Sequence, residues 1–235
     1  MKIKVWLLFL AFVFAGQHAW AQKSENREVS AFTEVSLRND ANVFVKQGKN
    51  FSVSVTGKES TLEKLITEVR DRKLVIRYPN ESFFKTNWNP GEVIVYVTMP
   101  QIDGLSVSGS GNISSDGSVD ATIIDIAVSG SGSVKLHDLK AEKVSATLSG
   151  SGNVILAGKE GSVNFNGVIS GSGNIKAFDF AAKNVDVKIA GSGNCHIQAT
   201  EKLIVKIAGS GNVVYRGNPA IDSTIAGSGS VREER

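Results

Sequence analysis

Residues 150–158, Gly-Ser-Gly-Asn-Val-Ile-Leu-Ala-Gly, have the glycine density of a loop that cradles a dinucleotide's phosphates. Such a loop occurs once, after a strand, and opens a helix whose N-terminus holds the pyrophosphate. Here Gly-Ser-Gly recurs seven times, at spacings of 18 to 21 residues, and no helical pattern follows any copy. No Gly-Lys-Ser or Gly-Lys-Thr is present either, so a P-loop is excluded. The glycines therefore read as corners of a repeating coil: Gly109 and Gly111, Gly130 and Gly132, Gly150 and Gly152, Gly171 and Gly173, Gly191 and Gly193, Gly209 and Gly211, Gly227 and Gly229.

Few other residues are of a type to do chemistry. Cys195 stands in a column otherwise filled by Ile and Val, which makes it a small buried hydrophobe rather than a reactive thiol. His196 follows it and points the opposite way on a strand, and His137 is about three coils distant, so no metal is expected. Asp116, Asp120, Asp125, Asp138, Asp179 and Asp186 recur at no fixed place in the coil. A carbohydrate-active enzyme on a β-helix would need two of them assembled as a carboxylate pair. That is the alternative to a non-enzymatic binder, and no cofactor is implied.

The segment from Tyr78 to Pro90 is richest in binding chemistry, with Phe83, Phe84 and Trp88 beside Asn and Lys. Aromatic rings on a connection between strands suit a ligand-binding site that stacks a sugar. The same rings suit a lid folded over an exposed solenoid end, and the lid is the favoured reading.

The elements that carry these residues follow from the repeat. Two residues before each Gly-Ser-Gly stands Val107, Val128, Leu148, Ile169, Ile189, Ile207 or Ile225. Two residues after its last glycine stands Ile113, Val134, Val154, Ile175, Cys195, Val213 or Val231. Apolar residues recur two further out at Leu105, Ile126, Val187 and Val205, and at Leu136, Leu156 and Ile197. Alternation with period two and many β-branched residues mark strands with one buried face. Each copy thus reads strand, corner, strand, and stacked coils should lie about 4.8 Å apart. The Asn or Ser after each corner should stack into a side-chain ladder. The expected fold is all-β: a right-handed parallel β-helix-like solenoid, about 18–21 residues per coil, with one short helix in the N-terminal half. The Leu-x-x-Leu-x-Leu pattern of leucine-rich repeats is missing, and the period is twice that of the calcium-binding β-roll.

Residues 22–105 lack the repeat and form a strand-rich part or cap, with strands at 34–37, 42–46, 52–56, 73–78 and 92–99. Residues 47–51 read as a hairpin or corner, and 60–69 as the helix, with Leu62, Leu65, Ile66 and Val69 along one side. The solenoid proper spans 106–235. Arg232, Glu233, Glu234 and Arg235 are placed to blunt its far end.

Residues 1–21 read as a signal peptide: Lys2 and Lys4, the apolar run 5–15, then Ala19-Trp20-Ala21 as the cleavage site. The product would be periplasmic or secreted, with no later membrane span. Of 26 basic residues two lie in that segment, leaving 24 against 23 acids. Near neutrality removes any electrostatic claim on nucleic acid. Expected partners are a glycan, an envelope protein, or a second copy through a solenoid end or edge.

The Ser-Gly-Ser-Gly-Asn-Ile/Val blocks at 108–113, 149–154 and 170–175, with the Met-Pro and Leu-Ser-Val-Ser-Gly-Ser run of 92–110, carry a resemblance. The chain resembles the auto-transporter adhesin head domain, or GIN domain, of Bacteroidetes envelope proteins, over about residues 30–230. The resemblance implies a β-solenoid and an envelope location, and it brings no catalytic residues.

Overall fold

The computed structural model describes residues 22–79 and 89–234. The N-terminal part supplies β1 (Lys23–Arg27), β2 (Glu34–Leu37), β3 (Asn42–Gln47), β4 (Ser52–Gly57), the one-turn helix α1 (Glu59–Leu62), β5 (Ile66–Arg70), β6 (Lys73–Arg77) and β7 (Ile94–Met99). The repeat supplies β8 (Gly104–Gly109), β9 (Asn112–Ser115), β10 (Ser118–Gly130), β11 (Ser133–Leu136), β12 (Asp138–Gly150) and β13 (Asn153–Gly171). It continues with β14 (Asn174–Gly191), β15 (Asn194–Gly209), β16 (Asn212–Arg216), β17 (Ala220–Gly227) and β18 (Ser230–Glu233). Together they wind a β-solenoid of about six turns.

Register follows the repeat. On the side before the corner, Val107, Val128, Leu148, Ile169, Ile189, Ile207 and Ile225 stack in parallel pairs. On the side after it, Ile113, Val134, Val154, Ile175, Cys195, Val213 and Val231 do the same. A third side closes each coil from residue 118 onward, where Val119 pairs with Leu139 and Ser162 with Ala182. Twelve of the fourteen column residues are buried; Ile225 and Val231, in the last coil, are not. Each buried one contributes about 1.5–3 kcal/mol before the entropy of ordering.

The corners stack through their backbones. The Ser131 N–H donates to the Gly109 carbonyl at 3.0 Å, and Ser151, Ser172, Ser192, Ser210 and Ser228 repeat the bond at 2.9 Å. The two glycines are needed for different reasons. Gly130 sits at φ +116, where side chains are strained. Gly132 has no such backbone, but a Cβ there would lie 2.2 Å from the Gly111 carbonyl oxygen.

The ladder after the corner forms in two runs. Asn112 donates to Asn42 and Ser133 to Asn112; then Asn174 to Asn153, Asn194 to Asn174, Asn212 to Asn194, and Ser230 to Asn212, at 2.6–3.2 Å. Every donor belongs to the later coil, so the side-chain dipoles align along the stack.

The N-terminal part does not wind in chain order. β2 lies between β6 and β8, and β3 between β7 and β9. The β6–β7 coil, later in sequence than β2–β3, is therefore the outer one. Residues 39–41 make the corner of the β2–β3 coil, with the Asn39 side chain accepting from the Ala41 N–H at 3.1 Å. Residues 47–51 make no hairpin, because β7 inserts between β3 and β4, pairing with the first in parallel and the second antiparallel. The helix is shorter than its apolar spacing predicts. Only residues 59–62 are helical; 66–70 enter β5, which pairs antiparallel with β6 across Asp71 and Arg72 at φ 51 and 60. A tight turn with two positive-φ residues matches strand twist, and β-branched Ile66, Thr67 and Val69 favour the strand.

β5 closes one edge of the outer coil, while β4 and then β1 cover the other. At the opposite end β17 and β18 each pair on one side only among the described residues.

Candidate functional site

Phe83, Phe84 and Trp88 lie outside the described residues. The connection that holds them has described ends in fixed places: Ile76 pairs with Leu37, and Ile94 with Asn42. Leu37 and Asn42 are the residues that flank the corner of the neighbouring coil. Tyr78, at its start, has its hydroxyl pKa raised, first by burial and then by the neighbouring Asp40 carboxylate.

Cys195 is fully buried, and burial pushes its thiol up to about 12. At neutral pH almost no thiolate forms, and the thiolate is the nucleophile. A maleimide should therefore leave the native protein unlabelled and label it once denatured, read by intact mass. Native labelling within minutes would contradict the register. Among the described residues no group of three or more His, Cys, Asp or Glu is placed to hold a metal ion.

Some of the acids are held in ion pairs, Asp186 among the six singled out in the sequence. Glu160 meets Lys140 at 2.9 Å and Glu201 meets Lys183 at 3.6 Å along one groove floored by Ala121, Ala141 and Ala182. Asp186 meets Lys188 at 3.7 Å. Exposed pairs of this kind are worth about 0–1 kcal/mol each, so they define a surface rather than hold the fold.

Aromatic, cationic and anionic groups converge at one place, near the open end on the side after the corner. Phe178 lies 5.1 Å from the His196 ring, and the Arg216 guanidinium stacks 4.2 Å over Phe178. Arg216 also reaches Glu234 at 3.4 Å. Phe178, His196 and Glu234, with Val214, Arg232 and Glu233, line a hollow of about 670 Å³, and Arg216 flanks it. Burial lowers the His196 pKa below its ordinary 6.5; Glu234 opposes the shift, while Lys176 and Arg232 reinforce it. The imidazole is neutral at pH 7 and offers one donor and one acceptor.

The site exists because the coil shortens. Between β14 and β15 the register jumps from Ala177–Ile197 to Ala181–Gln198, so residues 178–180 have no counterparts. This bulge turns Phe180 into the core and leaves Phe178 half-buried on the surface. Sequence reasoning missed the cluster. The available signal was partial: Arg216 and Glu234 stand one 18-residue coil apart, but His196 pairs with Lys176, 20 residues back, so spacing does not point to Phe178.

The profile of the family described as "Putative auto-transporter adhesin, head GIN domain" matches residues 31–219. The chain belongs to this family. It is thus an adhesin-like protein of a family associated with the envelope or the extracellular space. Its fold is shared by a "putative adhesin" from Bacteroides fragilis NCTC 9343, with TM-score 0.82 and 21% identity over 91% of this chain and 97% of that one. A "putative lipid binding protein" from Parabacteroides distasonis ATCC 8503 follows at 0.75 and 25%, covering 91% and 97%. A "putative adhesin" from Parabacteroides merdae ATCC 43184 gives 0.71 and 22%, covering 91% and 96%. No curated protein matches the sequence. No helix among the described residues is long and apolar enough to cross a membrane.

Proposed function

We propose that this GIN-domain protein is a non-enzymatic envelope adhesin, a rigid solenoid that binds saccharide in the hollow over Phe178. The observation that carries the reading is the convergence of an apolar floor, Phe178 and Val214, with Arg216, Arg232, His196 and Glu234. A binding site needs that composition: apolar surface for the ring carbons, and few, fixed polar groups for the hydroxyls. Groups of both charges line the hollow, which suits a neutral polyhydroxylated ligand. Glu234, one of the two carboxylates lining the hollow, is engaged by Arg216.

Delivery to that location uses residues 1–21 as a cleaved leader, leaving a periplasmic or surface-exposed protein that starts at Gln22. Protein purified from the envelope fraction of its own cells would then have the mass of 22–235; a mass including residue 1 contradicts this.

A glycan array identifies the saccharide, and calorimetry on that saccharide tests the site. Phe178→Ala should weaken binding about 5- to 13-fold, since an aromatic platform contributes of the order of 1–1.5 kcal/mol. Unchanged affinity in Phe178→Ala, or release of reducing ends from the saccharide, would defeat the proposal.

A further inference from the structure

We infer that the open end of the solenoid is a dimerisation surface, at which β17 pairs antiparallel with β17 of a second copy about a two-fold axis through Ser223. Leu203, Val205 and Ile207 of β15 are buried, and their partners in β17 are Ile221, Ser223 and Ile225. Those three residues continue the interior column, yet Ile221 is 45% and Ile225 40% exposed. The last coil thus presents the inside of the solenoid together with an unpaired strand edge. Both are surfaces that chains ordinarily cover or charge. The other end is treated in that way: its outer strands β1 and β5 read Lys-Ser-Glu-Asn-Arg and Ile-Thr-Glu-Val-Arg, and Glu68 there is bound by Arg70 and Arg77. β17 reads Ala-Ile-Asp-Ser-Thr-Ile-Ala-Gly, with one charge. Head-to-tail stacking would set the open edge against those charged strands, so like ends meet.

The occupant is a second copy because β17 is complementary to itself. Directly opposite residues of an antiparallel pair share a face. Interior residues must therefore oppose interior residues, which requires a register centred on an interior position. Centred on Ser223, Ile221 of each copy faces Ile225 of the other, Ser223 faces Ser223, and Ala220 faces Ala226. Outside, Asp222 faces Thr224. Asp222 continues the column of Asp186 and Ile204, whereas Thr224 continues the column of Lys188 and Lys206. The acidic column of one copy thus runs into the lysine column of the other, twice. Both interior columns join into one core and the edge hydrogen bonds are made.

Light scattering on the purified protein at micromolar concentration should give twice the monomer mass. Ile225→Lys should weaken the dimer about 100-fold or more, since the change enters the interface twice. It should lower the monomer's melting far less than a core substitution, because Ile225 is 40% exposed within one chain and packs on Ile207 alone of the interior column. Ser223→Cys should cross-link two copies under mild oxidant, since opposed Cβ atoms on the axis lie within disulfide reach; buried Cys195 does not compete. Thr224→Cys should not cross-link, having Asp222 opposite it. A monomer at all concentrations overturns the proposal, as does a dimer that Ile225→Lys leaves intact or that Thr224→Cys cross-links in place of Ser223→Cys.

Discussion

Gly132→Ala is expected to destabilise the protein by about 3 kcal/mol or more, the cost of overpacking a site that cannot relax. The added Cβ would meet the Gly111 carbonyl oxygen at 2.2 Å and Val107 Cγ1 at 2.6 Å. One contact is backbone of the preceding coil, and the other is a β-branched side chain in the filled core. Neither can withdraw without opening the stack, because Ser133 N–H bonds the same Gly111 carbonyl. For a domain of this size each kcal/mol shifts the melting temperature about 2–4 °C, so a fall of roughly 6–12 °C should appear by calorimetry. Gly117→Ala is the control. Gly117 also has positive φ, +101, but no atom lies within 4 Å of its Cβ position. It should cost only the backbone strain, about 1–2 kcal/mol. A loss in Gly132→Ala no larger than that in Gly117→Ala would mean that the stack relaxes around the added Cβ and that close approach is not what requires glycine there.

Phe180→Ala should cost about 3–5 kcal/mol, the range for emptying a large aromatic site. Phe180 has 0% exposure and anchors the bulge at residues 178–180. Its loss also frees the segment that carries Phe178, so the saccharide site should weaken in step with stability. The measurement is the urea midpoint together with calorimetric affinity. A loss under about 1 kcal/mol would show that the bulge is held by its backbone. Full affinity in a destabilised variant would separate the bulge from the site.

The repeat made most of the solenoid legible because its physics is local: a tight corner built on glycine, flanked by alternating apolar residues. Where other residues make the corner the signal fades. Residues 35–43, Val-Ser-Leu-Arg-Asn-Asp-Ala-Asn-Val, align with 105–113, Leu-Ser-Val-Ser-Gly-Ser-Gly-Asn-Ile, in the observed pairing. Asn39 and Ala41 replace the glycines, and a search keyed on Gly-Ser-Gly passes over them. The reversed winding of β6–β7 was out of reach, since pairing order between distant strands leaves no periodic trace. The helix over 60–69 was overextended because Leu62, Leu65, Ile66 and Val69 fit helical spacing, while the hairpin with β6 offers a ladder that a helix does not. The Phe178 cluster was hidden for another reason. Arg216 and Glu234 meet through the coil register, but Phe178 enters from the bulge at 178–180, where the coil drops from 20 residues to 18 and the repeat gives no alignment.

Solution NMR of the His196 imidazole during saccharide titration tests the proposed site most directly. His196 lines the hollow and touches Phe178, whereas Trp88 belongs to a connection rooted at the opposite end. The account predicts that His196 ring signals shift with saturation while the Trp88 indole signal stays fixed. Movement of Trp88 with His196 unchanged would transfer binding to the aromatic connection and contradict it.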